Sequence, residues 1–123
     1  MSRALRPVAV VAMMFFAVGT VVLADPPTVS IQQQAELIPG LGILVHVFVN
    51  CGDGQTDGTI FVGARQGNYA MQNFDTVPNA STRQVISVFI FGPFVSGAGQ
   101  ASAQLFCSDL LAGEDLGRTI NIQ

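Results

Sequence analysis

Two runs of alternating apolar residues, each ending in a cysteine, constrain the fold of this chain more than any other feature. One run covers residues 43–51 and the other covers residues 101–107. Successive side chains of a β-strand point to opposite faces, so a period of two predicts strands. In each run the cysteine has the phase of the apolar residues. We therefore expect Cys51 and Cys107, the only cysteines of the chain, to point into the interior.

The period of two continues through most of the chain after residue 27, with Gly, Pro and Asn at short intervals. Turn signals include Pro39 to Gly42 and Gln66 to Asn68. The pattern predicts an all-β fold of about seven antiparallel strands, and a sandwich is the natural architecture for that number. The predicted strands cover residues 28–36, 43–51, 59–65, 69–74, 83–91, 101–107 and 118–122.

The first 24 residues have the composition of a secretory signal peptide. Arg3 and Arg6 precede an apolar stretch of 16 residues, 8–23, and Ala24 is the small residue expected before a cleavage point. An uncleaved membrane anchor is the alternative, but it needs about 20 apolar residues. We expect a secreted or extracytoplasmic protein whose single domain covers residues 25–123, with no membrane span after cleavage.

Outside the cytosol two cysteines are expected to be oxidised, and one bridge is the simplest outcome. Cys51 and Cys107 are 56 positions apart. Closing a loop of that size stabilises a fold by about 4 kcal/mol on the chain-entropy model. The chain has no Cys-x-x-Cys spacing, so the bridge is expected to be structural and not redox-active.

A disulfide between the second and sixth predicted strands resembles the bridge of immunoglobulin-like domains. The resemblance covers residues 25–123 and implies a sandwich of two sheets joined by one inter-sheet disulfide. The chain has no tryptophan, and Leu105 stands where such domains often have a tyrosine. The resemblance therefore implies the superfold and not an antibody-type domain. A superfold does not by itself specify a function.

Charge and histidine content narrow the function classes. Residues 25–123 keep eight acidic residues against three arginines, a net charge of −5, which disfavours nucleic-acid binding. His46 is the only histidine, and its phase in the strand 43–51 points it outward. A Ser-His-acid site needs a well-placed histidine, so we do not expect an enzyme. A small secreted hydrolase built around His46 is the least favoured alternative.

Acidic residues are concentrated in the loops expected at one end of the domain. Candidate calcium ligands there are Asp53, Asp57, Asp109, Glu114 and Asp115. Clustered carboxylates are typical of Ca²⁺ sites, although the run 53–58 lacks the middle acid and distal Glu of a calcium loop. A basic partner surface and a solubilising role are the alternatives. Ca²⁺ is the one candidate cofactor, and a calcium- or cation-binding module is the second function hypothesis.

Four apolar residues have the phase opposite to the predicted core. They are Leu44, Phe48, Phe89 and Phe91, on two strands that are neighbours in an immunoglobulin-like sandwich. Exposed apolar patches mark interaction surfaces, so we expect self-association or an unidentified protein partner. The alternatives are a reversed phase of the strand 83–91 or a segment that covers the face. The first function hypothesis is a secreted, non-catalytic binding or protein-protein interaction module.

Overall fold

The structure, a computed structural model, describes residues 27–123, and the predicted signal segment lies outside this range. The described residues form seven strands and no helix, so no helix among them is long and apolar enough to cross a membrane. The all-β prediction is confirmed, and each predicted strand overlaps an observed one. The strands are β1 (Thr28–Ile38), β2 (Gly42–Asn50), β3 (Asp57–Gln66), β4 (Tyr69–Pro78), β5 (Gln84–Phe91), β6 (Gly97–Cys107) and β7 (Leu110–Ile122).

All seven strands belong to one mixed sheet with the order β4-β3-β6-β7-β1-β2-β5. Two separate antiparallel sheets were expected, and the structure differs because β1 connects the two groups. β1 is antiparallel to β2, but at Gln34 and Ala35 it is parallel to β7. Its register to β2 shifts between Ile31 and Ala35, and an irregularity of this kind bends a strand. The bend allows β1 to pair with β2 along most of its length and with β7 at Gln34 and Ala35.

The core follows from the alternation along the strands. Ile43, Val45, Val47 and Val49 of β2 are fully buried, and so are the inward residues of β6. Cys51 and Cys107 form the predicted disulfide, with their Cα atoms 5.8 Å apart. Other large buried side chains are Ile31, Ile60, Val62, Val77, Val88, Ile90, Ile120 and Ile122. The inward phase that the sequence predicted for both cysteines is confirmed.

Five strands are longer than predicted, and the extensions of β4 and β7 move acidic residues out of predicted loops. β4 continues to Pro78, so Asp75 lies in a strand and not in the following loop. β7 begins at Leu110, directly after a turn in which Ser108 and Asp109 have positive φ. The register between β6 and β7 shifts twice, which removes the simple alternation from the first half of β7. Because this segment lacks a period of two, its sequence pattern predicts a loop.

The sheet curls until its two edge strands, β4 and β5, contact each other. The Tyr69 hydroxyl donates a hydrogen bond to the Phe91 carbonyl at 2.9 Å, and Asn73 Nδ2 donates one to the Phe89 carbonyl at 2.9 Å. The Tyr69 ring also packs edge-on against Phe94, with the ring centroids 5.3 Å apart. Side chains of β4 therefore satisfy carbonyl groups of β5 at this seam.

Candidate functional site

The outer face of β2 and β5 carries a row of apolar side chains. The register pairs Leu44 with Phe89 and Phe48 with Val85, and Phe91 lies two residues beyond Phe89 on the same face. Phe48 is 50% exposed and Phe91 is 62% exposed, whereas Leu44 and Phe89 are half-buried. We call these five residues the β2–β5 patch.

The orientation of the β2–β5 patch follows from the core residues between its members. Val88 and Ile90 are buried, so the alternation along β5 directs Phe89 and Phe91 outward. The phase of β5 is therefore not reversed. The rings of Phe89 and Phe91 lie edge to face, with their centroids 6.3 Å apart. No segment within residues 27–123 covers the exposed ring of Phe91.

One polar pair interrupts the β2–β5 patch. His46 and Ser87 are cross-strand partners, and His46 Nδ1 lies 2.6 Å from Ser87 Oγ. No carboxylate in the described part of the chain is hydrogen-bonded to His46. The pair also lies on an open sheet face and not in a cleft, whereas hydrolytic sites combine a Ser-His pair with an orienting acid and a pocket. His46 and Ser87 therefore form a hydrogen bond at the surface of the sheet. The pair lies between the Leu44–Phe89 pair and the Phe48–Val85 pair.

The five candidate calcium ligands occupy different kinds of position. Asp53 lies in the loop after β2, Asp57 begins β3 and Asp109 lies in the turn before β7. Glu114 and Asp115 lie within β7, several residues along the strand from that turn.

The Asp115 carboxylate already has protein partners. It accepts a hydrogen bond from the Ile31 N–H at 2.9 Å and pairs with the Arg118 guanidinium at 3.0 Å. Among residues 27–123, no three His, Cys, Asp or Glu side chains are grouped so that they would hold a metal ion.

A second aromatic cluster was not predicted. The Phe61 ring centroid lies 5.5 Å from that of Phe74 and 5.5 Å from that of Phe106, on the outer face of β3, β4 and β6. Phe74 is 59% exposed. The signal was present in the sequence, because Phe61 alternates with the buried Ile60 and Val62. The same phase analysis that identified the β2–β5 patch identifies this cluster.

The chain thus presents two outer faces with exposed aromatic rings, one on each half of the curled sheet. No protein-family model, curated protein or solved structure matches the chain. A functional assignment therefore depends on the chemistry of these two faces.

Proposed function

We propose that this chain is an extracytoplasmic, non-catalytic protein-interaction module that binds a partner protein or a second copy through the β2–β5 patch. The observation that carries the proposal is the exposure of the Phe48 and Phe91 rings on regular, paired strands. Aromatic side chains are enriched at the centres of protein interfaces. Rigid strands hold these rings in place before binding, which lowers the entropic cost of association.

The composition of the surroundings supports this role. None of the five residues of the β2–β5 patch is charged, and the register places Glu36 of β1 beside Leu44. A protein interface typically has an apolar centre with few charges and a polar rim. The His46–Ser87 pair divides the patch and provides a hydrogen-bonding group that a partner surface can match. The patch therefore has both an apolar and a polar means of selecting its partner.

We also infer that the domain is immunoglobulin-like. In support, β1, β2 and β5 are neighbours, as are β3, β6 and β7, and the disulfide connects the ends of β2 and β6. Immunoglobulin-like domains have this grouping of strands and a bridge between the corresponding second and sixth strands. A disulfide is compatible with an extracytoplasmic location, where oxidised cysteines persist.

The test is a double substitution, Phe48→Ser with Phe91→Ser, in the secreted protein. We expect the variant to remain folded, because surface substitutions usually change the free energy of unfolding by about 0.5 kcal/mol or less. We expect it to lose self-association in sedimentation velocity, or to lose the partner that the wild-type protein captures from the extracellular fraction of its own host.

Two controls separate binding from folding. Leu116→Ser removes an equally exposed apolar side chain outside the patch and is expected to leave association unchanged. Ile90→Ala removes a fully buried side chain next to Phe91 and is expected to cost about 2 to 5 kcal/mol of stability. A wild-type protein that stays monomeric and captures nothing that the double variant does not would contradict the proposal.

A further inference from the structure

The outer face of β3, β4 and β6 presents three parallel rows of side chains. The register places Phe61 beside Phe74 and Gln104, Gly63 beside Gln72 and Ser102, and Arg65 beside Ala70 and Gln100. The middle row is low at its centre, because Gly63 has no side chain and that of Ser102 is small. An aromatic row lies on one side of it and the row that contains Arg65 lies on the other. The missing side chain at Gly63 leaves a trough on this face, and the trough extends along β3 and β6 towards Arg65 and Gln100.

The trough corresponds to two adjoining depressions. One has a volume of about 690 Å³ and is lined by Gly63, Gln72 and Ser102, among others. The other has a volume of about 320 Å³ and extends towards Thr119. Arg65 and Gln100 line both. The depressions therefore form one elongated surface, which suits a chain-like ligand better than a compact one.

Three polar side chains on this surface have no partner within residues 27–123. Arg65, Gln72 and Gln100 make no side-chain hydrogen bond there, whereas Arg118 is paired with Asp115 at 3.0 Å. No carboxylate lines either depression. Among residues 27–123, a guanidinium and two amides are consequently available to a ligand, and no carboxylate of these residues is paired with Arg65.

The donor set defines the ligand chemistry. Amide side chains donate and accept hydrogen bonds, which matches the vicinal hydroxyl groups of a sugar. A guanidinium binds a carboxylate with two parallel hydrogen bonds. The negative face of an aromatic ring attracts the weakly positive C–H groups on the flat side of a pyranose. Phe61 and Phe74 lie one row from Gly63 and Gln72 on the same face, next to the lining of the larger depression but not part of it.

Two further observations narrow the class of ligand. β3 and β6 are paired on both sides, so a peptide would gain no backbone ladder with them and side chains must provide recognition. Residues 25–123 have a net charge of −5, which repels a polyanion, whereas a single acidic group can pair with Arg65. We propose that this trough binds a short oligosaccharide that carries a single acidic sugar. The site is separate from the β2–β5 patch and does not depend on the function proposed for it.

The test uses two matched pairs of oligosaccharides: 3′-sialyllactose with lactose, and glucuronosyl-xylotriose with xylotriose. Binding to the full chain is followed by the amide chemical shifts of Gly63, Ser102 and Gln100. We expect at least one acidic member to bind about fivefold more tightly than its neutral partner, and we expect Arg65→Gln to remove that difference.

Two variants control for non-specific effects. Arg83→Gln removes an arginine in the loop before β5, outside both depressions, and is expected to leave binding unchanged. Gly63→Val is expected to fill the trough and abolish binding. The backbone at Gly63 accommodates a Cβ, which meets no atom closer than 3.8 Å, and the fold of the variant is checked by its amide spectrum. The proposal is overturned if neither acidic sugar shifts these resonances, if the neutral members bind equally well, or if Gly63→Val binds like the wild type.

Discussion

The Asp115 carboxylate of β7 accepts a hydrogen bond from the backbone N–H of Ile31 in β1, with Oδ2 2.9 Å from the nitrogen. The ladder between β1 and β7 begins at Gln34 on the β1 side, and backbone hydrogen bonds to Gln123 continue the connection as far as Leu37. The Ile31–Asp115 bond therefore connects the two strands beyond the end of their ladder, and in doing so it helps to join the halves of the single sheet.

Replacing Asp115 with Ala is expected to lower the free energy of unfolding by about 1 to 3 kcal/mol, because a part-buried Ile31 N–H loses its acceptor. Arg118→Ala removes only the exposed partner of the ion pair and is expected to cost about 1 kcal/mol or less. Urea unfolding curves measure both. Equal losses in the two variants would show that the ion pair, and not the hydrogen bond, is the stabilising element.

Removing the disulfide with Cys51→Ala and Cys107→Ala is expected to lower the free energy of unfolding by about 2 to 5 kcal/mol, because the bridge closes a long loop of the unfolded chain. Reduction of the wild-type protein should give a loss of similar size. Intact mass after alkylation of the folded protein provides the check. Free thiols in the folded chain would contradict the pairing.

Loosening the seam between β4 and β5 is expected to expose an edge strand. Tyr69→Phe with Asn73→Ala removes both hydrogen bonds to the Phe89 and Phe91 carbonyls, at an expected cost of about 0.5 to 1.5 kcal/mol each. Tyr69→Phe retains the ring that packs on Phe94. Hydrogen exchange should accelerate in β4 and β5 before the rest of the sheet.

The matched control for the seam is Gln72→Ala, which removes a side chain from β4 that makes no hydrogen bond to β5 among the described residues. Exposed edges promote association with other chains, so the double variant should also aggregate sooner than this control. If both variants exchange and aggregate alike, the two hydrogen bonds do not close the seam.

The alternation of side chains along single strands was sufficient to predict much of this structure. Alternation along residues 43–51 and 101–107 determined which side chains of β2 and β6 face the core, and hence that Cys51 and Cys107 point inward. The same alternation directed Phe48 and Phe91 outward. These features depend only on the period of two of a strand, which a sequence displays directly.

Local pattern failed where the register is irregular. The first half of β7 carries two register shifts against β6, so its side chains do not alternate and the segment was predicted to be a loop. That error placed Glu114 and Asp115 beside Asp109 in one acidic loop. In the structure they lie along a strand, and Asp115 binds Ile31 and Arg118.

The sequence by itself thus determined the all-β class, the buried faces of β2 and β6 and the disulfide. Only the tertiary structure decided that the strands form one sheet instead of two and that a trough is present at Gly63 and Arg65. The physical reason is that both outcomes depend on pairing between strands distant in the chain. A parallel contact such as that of Ala35 with Ile122 leaves no periodic signal in either strand.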